Sequence, residues 1–217
     1  IRKVQIMDTK KLLAVLVSVA MCGAAFAGCG NNADSSKAES KAESSSSQVE
    51  KMPETDEEWT QAMYDKAMVS YGNTSMMQNV IKKAQSGEKV TVAYLGGSIT
   101  EGISAGADGC YAKLTYDYFA QKFGTGDNVQ YVNAGLSGTP SKLGILRLDR
   151  DVLAYEPDIC FIEFAVNDGT EADYQNAYES IVRTLLQKNI TPVLLFSVTE
   201  SDHSAQDYMK QIGEFYH

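Results

Sequence analysis

The feature that most constrains this chain is a run of nearly uninterrupted apolar residues at 158–166, DICFIEFAV. A continuous run of this kind reads as a strand covered on both faces, because a half-exposed strand would alternate. It has companions. Residues 89–95 (KVTVAYL) read as a buried strand, and 128–132 and 191–198 read as two more. Helical spacing fills the gaps. Residues 56–70 and 75–84 precede the first strand, and 110–123 follow it. Ser141 is a natural N-cap for a helix carrying Leu143, Leu146, Leu148 and Val152. Thr170 and Asp173 form a capping-box pattern for a helix running to about residue 188, and 205–215 read as the last helix. Strands alternating with helices predict an α/β domain with a mostly parallel sheet covered on both sides. In such sheets every loop that follows a strand lies on one edge, and ligands bind there.

The first fifty-odd residues have a different texture. Lys10 and Lys11 precede an apolar run at 12–27, the length of a signal-peptide core rather than of a comfortable membrane span. Met7 reads as a start, which leaves 1–6 upstream of it. The run ends in Phe26-Ala27-Gly28-Cys29, the small-residue approach to a lipidated cysteine, although Phe26 stands where leucine is usual. Residues 1–28 are therefore expected to be a lipoprotein-type signal peptide, with Cys29 as the lipidation site that anchors the protein outside the cytoplasm. Residues 29–54 are rich in Ser, Ala, Glu and Lys and too poor in large apolar side chains to offset the entropy of ordering, so they read as a tether. The domain occupies 55–217. The net charge of −9 argues against nucleic acid as a partner. Cys110 and Cys160 read as small buried residues rather than a disulfide, and no His/Cys spacing suggests a metal.

Three loops on the active edge carry chemistry. The first places Ser98 after Gly96 and Gly97, on a strand-to-helix turn that presents a hydroxyl as a nucleophile requires. A phosphate cradle is the competing reading, but the P-loop lysine and the dinucleotide glycine pattern are both missing. The G-x-S-x-G elbow also fails, because Thr100 holds its last glycine position. The second loop, 133–140 (NAGLSGTP), offers glycine N–H groups to a developing oxyanion, or is a plain turn. The third ends the apolar strand with Asn167 and Asp168: a carboxamide donor and a group that orients it or caps the next helix. Each loop alone has a bland reading. Together they supply a nucleophile and two oxyanion donors from three different strands, the apparatus of acyl transfer.

These blocks resemble those of the GDSL/SGNH hydrolases. LGGSITEG is similar to the first block in its GGSIT variant, NAGLSGTPS to the second, and EFAVND to the third, where Ala165 replaces a frequent glycine. The resemblance runs in order from about residue 89 to 198. It implies a flavodoxin-like three-layer α/β/α sandwich and ester hydrolysis with no metal and no cofactor. It also implies Ser98 as nucleophile, an oxyanion hole of Ser98, Gly138 and Asn167, and supporting roles for Gly97 and Asp168. The GGSIT variant and the expected secretion point to acylated carbohydrates as substrates.

The family's base is an Asp-x-x-His near the C-terminus, after a fifth strand. The two histidines here, His203 and His217, are preceded by Glu200 and Glu214 instead. His203 follows the fourth strand and is expected to touch substrate or sit idle in a loop rather than act as base. The chain is thus expected to lack the last strand and helix of the fold, and to be weakly active or inactive for want of the base. The alternative function is a carbohydrate-binding lipoprotein that keeps the fold without catalysis; a nucleotide-binding domain is a third reading. Tyr111, Arg147 and Arg150 are weighed as substrate contacts, with core packing or surface pairing the better reading.

Overall fold

The computed structural model describes residues 60–217. The expected signal peptide, the tether with Cys29 and the first residues of the domain lie outside them. Four strands form one parallel sheet: β1 (Val90–Gly96), β2 (Val129–Gly135), β3 (Ile159–Glu163) and β4 (Thr191–Leu195), in the spatial order β2-β1-β3-β4. That is the flavodoxin-like order, with a switch point between β1 and β3.

The alternation of side chains along the strands builds two cores. From β1, Val90, Val92 and Tyr94 face one way, and Ala93 and Leu95 the other; Ile159 and Phe161 of β3 side with the first set, Cys160 and Ile162 with the second. The first face is covered by α2 (Ser75–Gln85), through Met77, Val80 and Ala84, and by α4 (Tyr111–Phe123), through Tyr111, Ala112 and Phe119. Tyr94 is its centre and stacks on Phe161 at 4.8 Å and 12°. The second face is covered by α5 (Ser141–Asp151), α6 (Ala172–Gln187) and α7 (Gln206–Tyr216). Each fully buried large side chain, such as Ile162 or Leu185, contributes about 1.5–3 kcal/mol of transfer free energy. Helices on both faces make the three-layer α/β/α arrangement that the alternation predicts.

Several boundaries move. The first helix, α1 (Gln61–Ala67), stops three residues short of 70, where Met68 turns extended. β2 runs on to Gly135, so 133–135 are strand rather than loop; pairing Tyr94↔Asn133 through Gly96↔Gly135 overrides the poor strand propensity of Asn and Gly. β3 closes at Glu163, and 165–167 turn away from the ladder. Ser141 is not an N-cap. Pro140 holds that position, and Ser141 is the first, fully buried helical residue. The capping box at Thr170 also fails: Glu171 is the N-cap of α6, and Asp173 pairs with Lys142 at 2.7 Å. Cys110 and Cys160 are buried and free, as expected, and burial pushes the Cys160 thiol up to about 12.

Candidate active site

β1 ends in Gly96-Gly97, and the chain turns at once into a single helical turn, α3 (Ser98–Glu101), closed by Gly102 in the left-handed region. Ser98 is its first residue and half-buried. Thr100, two residues on, points the other way and is fully buried. The turn sits at the switch point, where open α/β sheets place their ligands.

Asn167 arrives from the end of β3 and packs against this turn. A Cβ built on Gly97 would lie 2.2 Å from Asn167 Oδ1 and 3.0 Å from its Cγ. No side chain fits there, and the glycine is what lets the carboxamide reach the Ser98 turn. Asn167 Oδ1 is buried against this backbone with no hydrogen-bond partner among the described residues, which leaves the amide N–H₂ as the end with hydrogen bonds to give.

The loop after β2 is fastened to the same turn on both shoulders. Leu136 donates its N–H to Gly96 O at 3.0 Å, and Ser137 donates to Glu101 Oε2 at 2.6 Å. Gly138 follows them, exposed, at φ +70°, with nothing within 4 Å of a built Cβ. The three loops singled out from the sequence therefore meet.

Asp168 plays a part that its position in the sequence does not suggest. It accepts the N–H of Ser141 at 2.7 Å and the hydroxyl of Tyr208 at 2.8 Å. It caps α5, the preceding helix, not the one that follows it, and ties α7 to the same point. Burial raises its pKa above the usual carboxylate value, against the pull of those donors.

Of two further residues at the site, one takes the packing role expected of it and the other escaped the sequence reading. Arg147 is buried beneath the strand ends and donates to Ala134 O at 2.6 Å and Gly96 O at 3.0 Å, with Thr139 Oγ1 at 3.5 Å. It packs and pairs in the core and is no surface ligand for substrate. Glu163, the last residue of β3, is fully buried and accepts from Thr100 Oγ1 at 3.4 Å and from Ser197 Oγ. The signal for it was visible: one carboxylate in the apolar run that otherwise predicts β3.

The remaining candidates fall outside the site. Tyr111 is buried, with its hydroxyl 2.9 Å from Thr100 Oγ1. Arg150 is exposed and pairs with Asp151 at 2.5 Å. His203 is exposed on the loop after β4, its backbone closing a turn with Thr199. His217 ends α7, about 16 Å of helix from the active edge, and its carbonyl accepts the N–H of Asn73 at 2.8 Å.

Similarity to known proteins agrees with this geometry. Residues 94–216 match the model of the GDSL-like Lipase/Acylhydrolase family. Among solved structures, a two-domain esterase (CEX) active on acetylated mannans is 32% identical, with a TM-score of 0.64 over 68% of this chain and 40% of that one. The same esterase crystallised with mannopentaose gives 33% identity and a TM-score of 0.62, over 67% and 41% of the two chains. No curated protein sequence matches significantly. This chain thus spans about two fifths of the length of the esterase it matches. With the family's blocks in order on its sheet and its family model matched over more than half the sequence, the chain belongs to the GDSL-like lipase/acylhydrolase family.

Proposed function

We propose that this chain carries the nucleophile and oxyanion hole of a serine esterase that removes acyl groups, acetyl foremost, from carbohydrates outside the cytoplasm. The observation that carries the reading is the contact of Asn167 with Gly97, which sets a carboxamide beside the serine turn with no room for a side chain between them. In this reading Ser98 Oγ attacks the acyl carbonyl. The carbonyl oxygen takes on charge as the carbon becomes tetrahedral, and the N–H groups of Ser98 and Gly138 with the Asn167 amide receive it. The alcohol leaves, and water releases the acyl group from Ser98. Nothing in these steps calls for a metal or an organic cofactor.

Ser98 needs a base to give up its proton, and no Asp-x-x-His occurs in the 217 residues. Without one the hydroxyl stays protonated and weakly nucleophilic, so these residues by themselves hydrolyse esters slowly or not at all. The acetylated-mannan esterase at 32% identity supports an acetylated polysaccharide as the substrate class. Cys29 is the proposed lipid anchor that holds the enzyme at the outer face of the cell membrane, near such substrates.

The test compares the 217-residue protein with the product of the complete coding sequence, on acetylated mannan and on an aryl acetate. The complete protein is expected to release acetate, and S98A to lower kcat by about 10⁴-fold or more. Equal turnover by the 217 residues would refute the need for a further base. A complete protein that binds acetylated mannan but releases nothing would favour the non-catalytic carbohydrate-binding reading. Metabolic labelling with a fatty acid, lost in C29A, checks the anchor.

A further inference from the structure

Glu163 is a carboxylate buried completely at the carboxyl end of β3. Among the described residues no lysine, arginine or histidine pairs with it. A charge so placed is unfavourable unless its oxygens are well supplied with donors. They are. One oxygen receives the hydroxyl of Ser197, from the loop after β4; the other faces Thr100 Oγ1 at 3.4 Å. Thr100 Oγ1 also lies 2.9 Å from the Tyr111 hydroxyl, and either oxygen can be the donor there.

Thr100 has a telling position. Gly97 and Thr100 bracket the Ser98–Ile99 pair, and Gly97 is also the residue against which Asn167 packs. The parallel ladder already registers Gly96 with Glu163, so the strand ends need no further tie. What the carboxylate adds is control of the four-residue turn beyond the ladder. We propose that Glu163 is a positioning residue for the nucleophile: by holding the Thr100 hydroxyl, two residues beyond Ser98, it fixes where Ser98 Oγ stands relative to the Asn167 amide. This rests on the esterase reading, with Ser98 as nucleophile. A glutamine at 163 has the right shape but the wrong polarity. It keeps one accepting oxygen and turns an N–H₂ group toward one of the two hydroxyls that donate to the carboxylate, so that hydroxyl has to reverse its bond.

The experiment uses the complete protein and p-nitrophenyl acetate, with thermal melts to establish folding. E163Q is expected to lower kcat about 10–100-fold with KM held within about twofold, since misplacing a reacting group by an ångström or less acts on the transition state. T100V, which removes one donor and leaves the carboxylate alone, is expected to lower kcat about tenfold with the same split. Y94F is the control. Tyr94 lies in the same core but bonds to Thr115, on a branch that stops short of Glu163, and its loss is expected to leave kcat within about twofold. Should E163Q fail to fold, T100V decides by the same separation of kcat from KM. Turnover that S98A abolishes but that E163Q and T100V leave unchanged overturns this proposal alone. Wild-type protein with no Ser98-dependent turnover overturns the esterase reading and this proposal with it.

Discussion

The nucleophile turn and the loop after β2 reach the same edge of the sheet, and they are held in opposite ways. Around Gly97 the space is full: Asn167 occupies the volume a side chain would need, and the preceding Gly96 is crowded in turn by Thr100 Oγ1 and Glu163 O. Around Gly138 the space is open, and what singles out the residue is a left-handed backbone. One glycine is required by its neighbours, the other by its own φ. A glycine-rich motif can hide either requirement, and the two predict different damage.

The largest effect is expected at the crowded glycine. G97A drives a methyl into the Asn167 carboxamide. The amide must move off the nucleophile turn, which is equivalent to losing an oxyanion donor, and kcat is expected to fall about 10²–10³-fold. Steady-state kinetics of the complete protein on an aryl acetate measures it. A G97A enzyme of normal kcat would mean that Asn167 does not serve the reacting oxygen.

Beneath both loops lies the Arg147 guanidinium, which touches the strand ends of each: Gly96 O on β1 and Ala134 O on β2. R147M keeps most of the volume and removes the donors. Buried charge-assisted hydrogen bonds are lost, so the protein is expected to be less stable by about 2–4 kcal/mol, read as a lower urea midpoint. If instead the midpoint holds and only KM rises, Arg147 belongs to a substrate contact and the packing described for it is wrong.

How much of this was readable beforehand follows from the range of each interaction. β1 and β3 stand out because a strand covered on both faces must be apolar throughout, and that is a local property. Ser98, Gly138 and Asn167 stand out because each sits in a short block after a strand, and topology alone sends such blocks to one edge. The clamps were not readable, for the same reason in each case. Asp168 caps a helix that begins 27 residues earlier, so Ser141 looked like its own cap. Arg147 lies on a helix whose spacing only says which face is buried, not that a guanidinium would thread to two carbonyls. The end of β2 looked like loop because Asn133 and Gly135 are poor strand formers, and only the pairing with β1 holds them extended.

At the open glycine the expected effect is smaller. G138A meets no neighbour, but its φ of +70° is unfavourable for any residue with a Cβ by about 1–2 kcal/mol. The main-chain N–H survives the substitution. Stability is therefore expected to fall by that amount, by urea titration, while kcat drops less than in G97A. Were G138A the more damaging to kcat, the contrast between the two loops would be inverted, and the second loop rather than Asn167 would govern the oxyanion.

The smallest effect is one of pH, and it separates the buried carboxylates of the site from the surface ones. Burial raises the pKa of Glu163 and of Asp168 in the folded protein. A carboxyl group whose folded pKa lies above its unfolded one binds its proton more tightly when folded. The stability it lends is complete below the unfolded value, about 4 for both types, and is lost as pH rises through the folded value. Asp151 and Asp173 shift the other way, lowered first by hydrogen bonds from Arg150 and Lys142. What they lend is present above about 4 and is lost only as pH falls through their folded values. Above about pH 4, then, the surface pairs are level and the buried pair sets the slope. Urea midpoints of the wild type are expected to fall as pH is raised from about 4, and the E163Q midpoint to fall less steeply. A wild-type slope of the opposite sign would mean that donors outweigh burial at the site, and that the carboxylate beneath the nucleophile turn stabilises the fold most when it is charged.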